Sequence, residues 1–363
     1  MNASADVIVL GLGVHGIATV ASLARRGIRV IGLEQFSGSH DRGSSHGRTR
    51  MIRRAYPNAV WNGLIDHAYD AWERLERDSG KTLIVRTGGL YAHRGQAQMQ
   101  GQGCVVLEDP EQIAACMPGL HVPQGYHAVY DPHAGMIEAA AALDALTDSA
   151  VRAGADLRYN VRVAGWETTS GGVVLSTTDG MIRGARLVIA AGSWADRVVP
   201  VLGGLLEVWR ILTLTAAAGQ AAGQPPALGA FSIDRDEGLL FGIPDAAGNG
   251  VKIGVDAGQV WDPDVPVAPP SAVETAELRA LLHTYVPALN AEAKELTACL
   301  YTMTEDRRFI LGPLANAPEV VIISACSGHG FKFGAAIGDA AADLALGIER
   351  PDLDFISTAR RGL

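Results

Sequence analysis

The opening of the chain limits its fold more than any other stretch. Residues 7–10 form a short apolar run with the character of a buried strand, and Gly11-Leu12-Gly13-Val14-His15-Gly16 follows at once. The alanine-rich residues 17–23 then read as a helix that ends at Arg25-Arg26-Gly27, with positive charge at its negative pole. Residues 28–33 supply a second strand, closed by Glu34. In such a unit Gly11 permits the tight turn, Gly13 admits a pyrophosphate to the backbone, and Gly16 lets the helix pack on the strand. The helix N-terminus offers free N–H groups to negative charge. Glu34 is positioned to accept from ribose hydroxyls and would repel a 2′-phosphate. The unit predicts a dinucleotide-binding α/β domain without deciding between FAD and NAD.

A second unit of the same kind closes the chain. Residues 320–325 read as an apolar strand, Ser327-Gly328-His329-Gly330 as a glycine-rich bend, and residues 333–346 as an alanine-rich helix. A domain whose pieces bracket the chain folds from distant segments, so its ligand can lie between two helix N-termini. Between them, residues 61–75 carry helical spacing, with Leu64, His67, Ala68, Ala71, Trp72 and Leu75 near one face. Residues 136–153 read as a helix, 156–159 and 161–163 as strand, and Asp179-Gly180 as the turn of a hairpin. Residues 187–190 are a buried strand, and residues 36–50 a loop near the ligand crevice.

The texture changes in residues 81–138 and 206–306, where short strand candidates such as 89–92, 239–243 and 251–255 are separated by Pro, Gly and Asp. Residues 222–226 and 263–270 read as loops. The expected organisation is a discontinuous nucleotide domain (1–80, 139–205 and 307–363) and an inserted, mostly antiparallel domain (81–138 and 206–306).

A formal net charge of −9 gives no general attraction to phosphate backbones, which excludes nucleic acid as an expected partner. Apolar runs are interrupted before they could span a bilayer, and Asp6 stands where an export signal would be basic. A soluble protein of the cell interior is expected. Four scattered cysteines suit neither a disulfide scaffold nor a zinc site, and no metal-ligand cluster is apparent.

Four segments together resemble the monomeric sarcosine oxidase and N-methyltryptophan oxidase family of flavoenzymes. They are the N-terminal fingerprint, Gly43-Ser44-Ser45-His46-Gly47-Arg48-Thr49-Arg50-Met51-Ile52-Arg53, Cys299-Leu300-Tyr301-Thr302, and Gly328-His329-Gly330-Phe331-Lys332-Phe333. The similarity runs over nearly the whole chain. It implies a Rossmann-like, glutathione-reductase-type FAD domain with an inserted antiparallel-sheet substrate domain. It also implies a monomer that oxidises an N-methyl or cyclic secondary amino acid to an imine and passes the electrons to O2, giving H2O2. Hydrolysis of an N-methyl-derived imine would release formaldehyde. A bulkier amine, or a dehydrogenase with another electron acceptor, is the alternative.

The resemblance implies FAD attached through its 8α-methyl to Cys299. It matches Arg53 and Lys332 to a carboxylate-binding pair, His46 and Arg50 to residues against the flavin, Tyr301 to a tyrosine near the substrate, and Lys252 to the lysine that promotes oxygen reduction. Ser44, Ser45, Thr49, Val163, Gly192, Gly328, Gly330 and Phe331 join Gly11, Gly13, Gly16 and Glu34 as expected cofactor contacts. The pattern breaks at Asp256, where sarcosine oxidases have histidine, and at Phe241, where they have tyrosine. Both are therefore expected to shape the substrate pocket.

Blander readings stay open on the residues alone. Lys332 could be a solvated lysine at a helix start, and Cys299 an inert core residue. Arg48, Arg50, Arg53 and Arg54 could form a solvated face; as an anion site, the spacing of Arg50 and Arg53 would put both on one side of a helical or turn segment. Alternation puts Lys252 and Asp256 on one face of a strand, either as an exposed ion pair or lining the flavin.

Overall fold

The structure is a computed structural model that describes residues 3–95, 99–217, 228–244, 250–287, 289 and 293–363; the loop expected at residues 222–226 lies outside them. The apolar strand Ala3–Leu10 is central to an eight-stranded sheet, parallel to Val30–Leu33 on one side and to Gly180–Ile189 on the other. Asp156–Arg158 extends the first side in parallel. Ala317–Ser324 lies parallel to the C-terminal half of Gly180–Ile189, so the two ends of the chain meet in one sheet. The Asp179-Gly180 turn joins Gly172–Thr177 to Gly180–Ile189 as the hairpin its sequence predicts. Helices Val14–Arg25, Ala139–Arg152 and Gly334–Ala345 cover one face of this sheet and bury their alanine-rich sides together.

Helix Asn62–Ser79 buries Leu64, Ala68, Ala71, Trp72 and Leu75, and ends on a left-handed Gly80. His67, on the rim of that face, lies 3.4 Å from Asp339 of the last long helix. The helix expected at residues 136–153 begins only at Ala139. Residues Gly135–Glu138 instead form a strand between Thr49–Ile52 and Ile84–Arg86, because pairing to two neighbours outweighs helical continuation there.

A nine-stranded sheet forms the separate, sheet-rich substrate domain. Its long pair Glu207–Ala217 and Ala293–Met303 runs antiparallel, with Ile211 opposite Cys299. Leu240–Pro244 and Gly250–Val255 continue it, and one parallel pairing, Ala230–Ile233 with Gly89–His93, interrupts the antiparallel pattern. A mixed α/β architecture results: a Rossmann-like domain with a second sheet facing the carboxyl ends of its central strands.

Candidate active site

A cavity of about 1300 Å³ lies between the two sheets. Every site residue singled out in the sequence lines it except Gly16, which sits behind the first turn. A Cβ at Gly16 would fall 1.8 Å from the Gly11 carbonyl oxygen, so this glycine serves helix-on-strand packing.

One end of the cavity suits a dinucleotide. Helix Val14–Arg25 starts there with no side-chain cap and no acid in its first turn. Ser45 accepts from the Val14 N–H at 3.0 Å, and Glu34 accepts from the Leu12 N–H at 2.9 Å and the Phe36 N–H at 3.1 Å. Glu34 is buried, and those N–H donors with His40 keep its pKa low despite the burial. A fixed carboxylate beside a helix terminus with no acid in its first turn matches the ribose and pyrophosphate of FAD, and the residues present fit that group.

The two glycine turns are joined by a residue that sequence reading passed over. His15 Nε2 lies 3.3 Å from the Gly330 carbonyl, so the first turn donates to the second. Burial lowers the His15 pKa to about 4, which keeps the ring neutral. A Cβ at Gly330 would lie 1.6 Å from the Ala325 carbonyl oxygen; this bend closes as tightly as the first.

The other end gathers positive charge. Arg50 belongs to the strand Thr49–Ile52 and Arg53 directly follows it, so the expected shared side of a helical turn is not formed. Strand pairing with Gly135–Glu138 decides this, since successive side chains of a strand alternate. Arg50 donates to the carbonyls of Thr49 (2.9 Å), Ser44 (2.8 Å) and His46 (2.5 Å), and lies over the Phe331 ring. Arg53 has no such partners: its Nε and Nη1 are buried without a hydrogen bond among the described residues, between the rings of Tyr56 and Tyr91.

Lys252 donates to the Thr49 carbonyl at 2.5 Å, the same oxygen that Arg50 uses. It forms no ion pair with Asp256, because its strand face turns toward the cavity; burial first, then Arg50, lowers its pKa to about 7. Asp256 pairs through Oδ2 with Arg307, while its Oδ1 is buried without a hydrogen bond among the described residues. Burial raises the Asp256 pKa against the pull of Arg307. A Cβ at Gly328 would lie 2.9 Å from that Oδ1 and 3.2 Å from the Tyr301 ring, so Gly328, Asp256 and Tyr301 converge.

Lys332 is 4% exposed and donates to the Tyr56 hydroxyl and the His329 carbonyl, each at 3.0 Å. His329 packs against Trp61, Phe309 and Phe333, and burial lowers its pKa to about 3. Tyr56 and Tyr91 carried no motif and were missed; only the fold brings their rings to Arg53. Ser44 ties its loop to the Cys299 strand by donating to the Leu300 carbonyl at 2.5 Å. Cys299 is a free cysteine whose thiol is pushed up by burial, and the buried Nε2 of His46 has no hydrogen bond among the described residues.

A Rossmann-like turn, a fixed ribose acceptor and a cation-lined second end fit a dinucleotide-dependent oxidoreductase. The family model for "FAD dependent oxidoreductase" matches residues 6–344, and the chain belongs to that family. Over 384 aligned residues it is 28% identical to the monomeric sarcosine oxidase of Bacillus sp. (strain B-0618), covering 100% of this chain and 98% of that protein. It is also 28% identical to the N-methyl-L-tryptophan oxidase of Yersinia pestis (strain Pestoides F), covering 98% and 99%. The open form of NikD, an unusual amino acid oxidase essential for nikkomycin biosynthesis, shares the fold with a TM-score of 0.85 at 24% identity, over 98% of each chain. No helix among the described residues is long and apolar enough to cross a membrane, and no group of three or more His, Cys, Asp or Glu there could hold a metal.

Proposed function

We propose that this enzyme oxidises the C–N bond of a secondary, N-methyl amino acid of sarcosine type to an imine, reducing O2 to H2O2, with hydrolysis releasing formaldehyde. Sarcosine and N-methyl-L-tryptophan oxidases among the relatives support the amine class. The observation that carries the reading is Arg53, whose Nε and Nη1 are buried without a hydrogen bond among the described residues, beside Lys332 in the cavity. An unpaired buried cation calls for an anion, and an arginine fork reads a carboxylate with two parallel hydrogen bonds.

When bound, FAD supplies the two-electron acceptor for the hydride on the carbon next to nitrogen. Arg53 and Lys332 hold the substrate carboxylate, which converts binding into orientation of the C–H bond. Asp256 Oδ1 accepts from a donor on the substrate, and Phe241 and Tyr301 wall the pocket. Lys252, fixed on the Thr49 carbonyl, keeps positive charge where O2 is reduced, and Arg50 and His46 border the cofactor. Cys299 is the residue for a thioether to the 8α carbon, and the chain works as a monomer inside the cell.

An anaerobic panel of sarcosine, bulkier N-methyl amino acids, cyclic imino acids and carboxylate-free amines, followed by flavin absorbance, tests the reading. Bleaching by the carboxylate-bearing secondary amines, with H2O2 and formaldehyde on readmitting air, is expected. Equal bleaching by amines without a carboxylate would sink it. Mass spectrometry of the denatured chain should find FAD on the peptide containing Cys299, and none in Cys299→Ser.

A further inference from the structure

The hydrogen bonds around Lys332 have a direction. His329 Nε2 lies 3.0 Å from the Arg307 carbonyl, which can only accept, so the ring proton is on Nε2. Its Nδ1, 3.2 Å from the Tyr56 hydroxyl, must then accept, and the tyrosine proton is used there. The Tyr56 oxygen is left to accept from Lys332 Nζ at 3.0 Å, and the His329 carbonyl accepts a second bond from the same nitrogen at 3.0 Å. A neutral lysine has two N–H bonds and one lone pair. Both N–H bonds are engaged, and the lone pair is the direction that remains.

The surroundings favour that neutral form. Lys332 is 4% exposed, and no carboxylate lies within ion-pair distance of it among the described residues. Arg53 and Lys332 flank one ring, each 5.5 Å from the Tyr56 centroid, so their charges oppose one another. Asp256 approaches from the end of strand Gly250–Val255, but its charge is offset by Arg307 from the loop after Ala293–Met303. Tyr301, on that last strand, is uncharged, its pKa held well above the ordinary range by burial. Burial first, then Arg53, holds Lys332 well below the ordinary lysine range, with Asp256 acting the other way.

Amine oxidation needs a nitrogen lone pair to push as hydride leaves the adjacent carbon, whereas an amino acid arrives from water as a zwitterion. We propose that Lys332 is the base that takes the ammonium proton of the substrate, an inference that rests on the amino-acid reading above. One N–H bond of the ammonium breaks and one N–H bond forms at Lys332 Nζ. The products are a neutral secondary amine and a lysinium facing the substrate carboxylate; no electron moves and the total charge is unchanged. Tyr56 and His329 are positioning residues that aim the lone pair.

The test is calorimetric titration of the FAD-loaded enzyme with butanoate, a carboxylate without nitrogen, at pH 8 in buffers of different ionisation enthalpy. With no ammonium to supply it, the proton must come from buffer, and uptake of about one proton is expected. Lys332→Arg puts a permanent cation there and removes the base, so uptake should vanish. Its anaerobic rate of flavin reduction at saturating sarcosine should fall on the order of 100-fold at pH 7, shrinking to a few-fold near pH 10, where an alkylammonium deprotonates unaided. A merely structural role would lower the rate equally at both pH values. No uptake by the wild-type enzyme, or a Lys332→Arg profile parallel to the wild type, overturns the assignment. The wild-type titration needs neither a variant nor turnover. Flavin that no amine bleaches would defeat the functional reading alone and leave the proton count to judge this one.

Discussion

Two Arg and Lys pairs stand at different places in one cavity, and their hydrogen bonds set them apart. In the first, Arg50 and Lys252 are held by backbone carbonyls and share the Thr49 oxygen. In the second, Arg53 has buried nitrogens without a hydrogen bond among the described residues, and Lys332 donates to a hydroxyl and a carbonyl. Both Arg50 and Arg53 come from one short stretch of chain, so local sequence does not separate them. The difference teaches that the first pair is finished machinery, a fixed charge in place before anything binds. The second is incomplete: Arg53 awaits an anion, and Lys332 joins it as a cation once it has taken the substrate proton.

The largest effect should come from Arg53. Arg53→Met should lower kcat/KM for a carboxylate-bearing amine by roughly 1,000-fold, about 4 kcal/mol, by steady-state kinetics with rising substrate. A loss below tenfold would mean that missing partners do not mark a ligand site, and the contrast between the arginines would break.

Lys252 sharpens the other side. Lys252→Met should slow reoxidation of reduced enzyme by O2 roughly 100-fold in stopped flow, with a much smaller effect on anaerobic reduction. Because its pKa is lowered to about 7, the charged fraction falls as pH rises through 7, and reoxidation should slow with it. The unfolded lysine keeps its proton to about pH 10. Between those values the unfolded chain binds more protons than the folded one, so the FAD-free protein should gain stability as pH rises, read from urea midpoints. A flat reoxidation profile would remove Lys252 from the oxygen step.

The smallest effect on activity belongs to a buried arginine that does have its carboxylate. Arg210 is 4% exposed and donates to Glu274 at 2.7 Å and to the carbonyls of Ala268 and Pro269. Arg210→Met should cost about 2 kcal/mol of stability by denaturant titration and change kcat/KM less than about threefold. A large kinetic loss would show that a satisfied cation can also be functional.

Much of the fold was legible because its signals are local. Gly11-Leu12-Gly13-Val14-His15-Gly16 between an apolar strand and a helix has few ways to fold, and Asp179-Gly180 names its own turn. The helix start near residue 136 was misjudged because Gly135–Glu138 finds its partners in Thr49–Ile52 and Ile84–Arg86, far off in sequence. The same strand pairing undid the expected helical relation of Arg50 and Arg53. Tyr56, Tyr91 and His15 gave no signal, since a tyrosine beside a guanidinium matters only once both are buried together.

By itself the sequence determined the two glycine turns, the acid that ends the second strand and the residue types offered to the site, because bond geometry and short-range spacing set these. The tertiary structure alone decided which cations are satisfied and which stand open. Desolvation and hydrogen-bond supply depend on neighbours contributed by both sheets and by segments at opposite ends of the chain, and no local pattern encodes them.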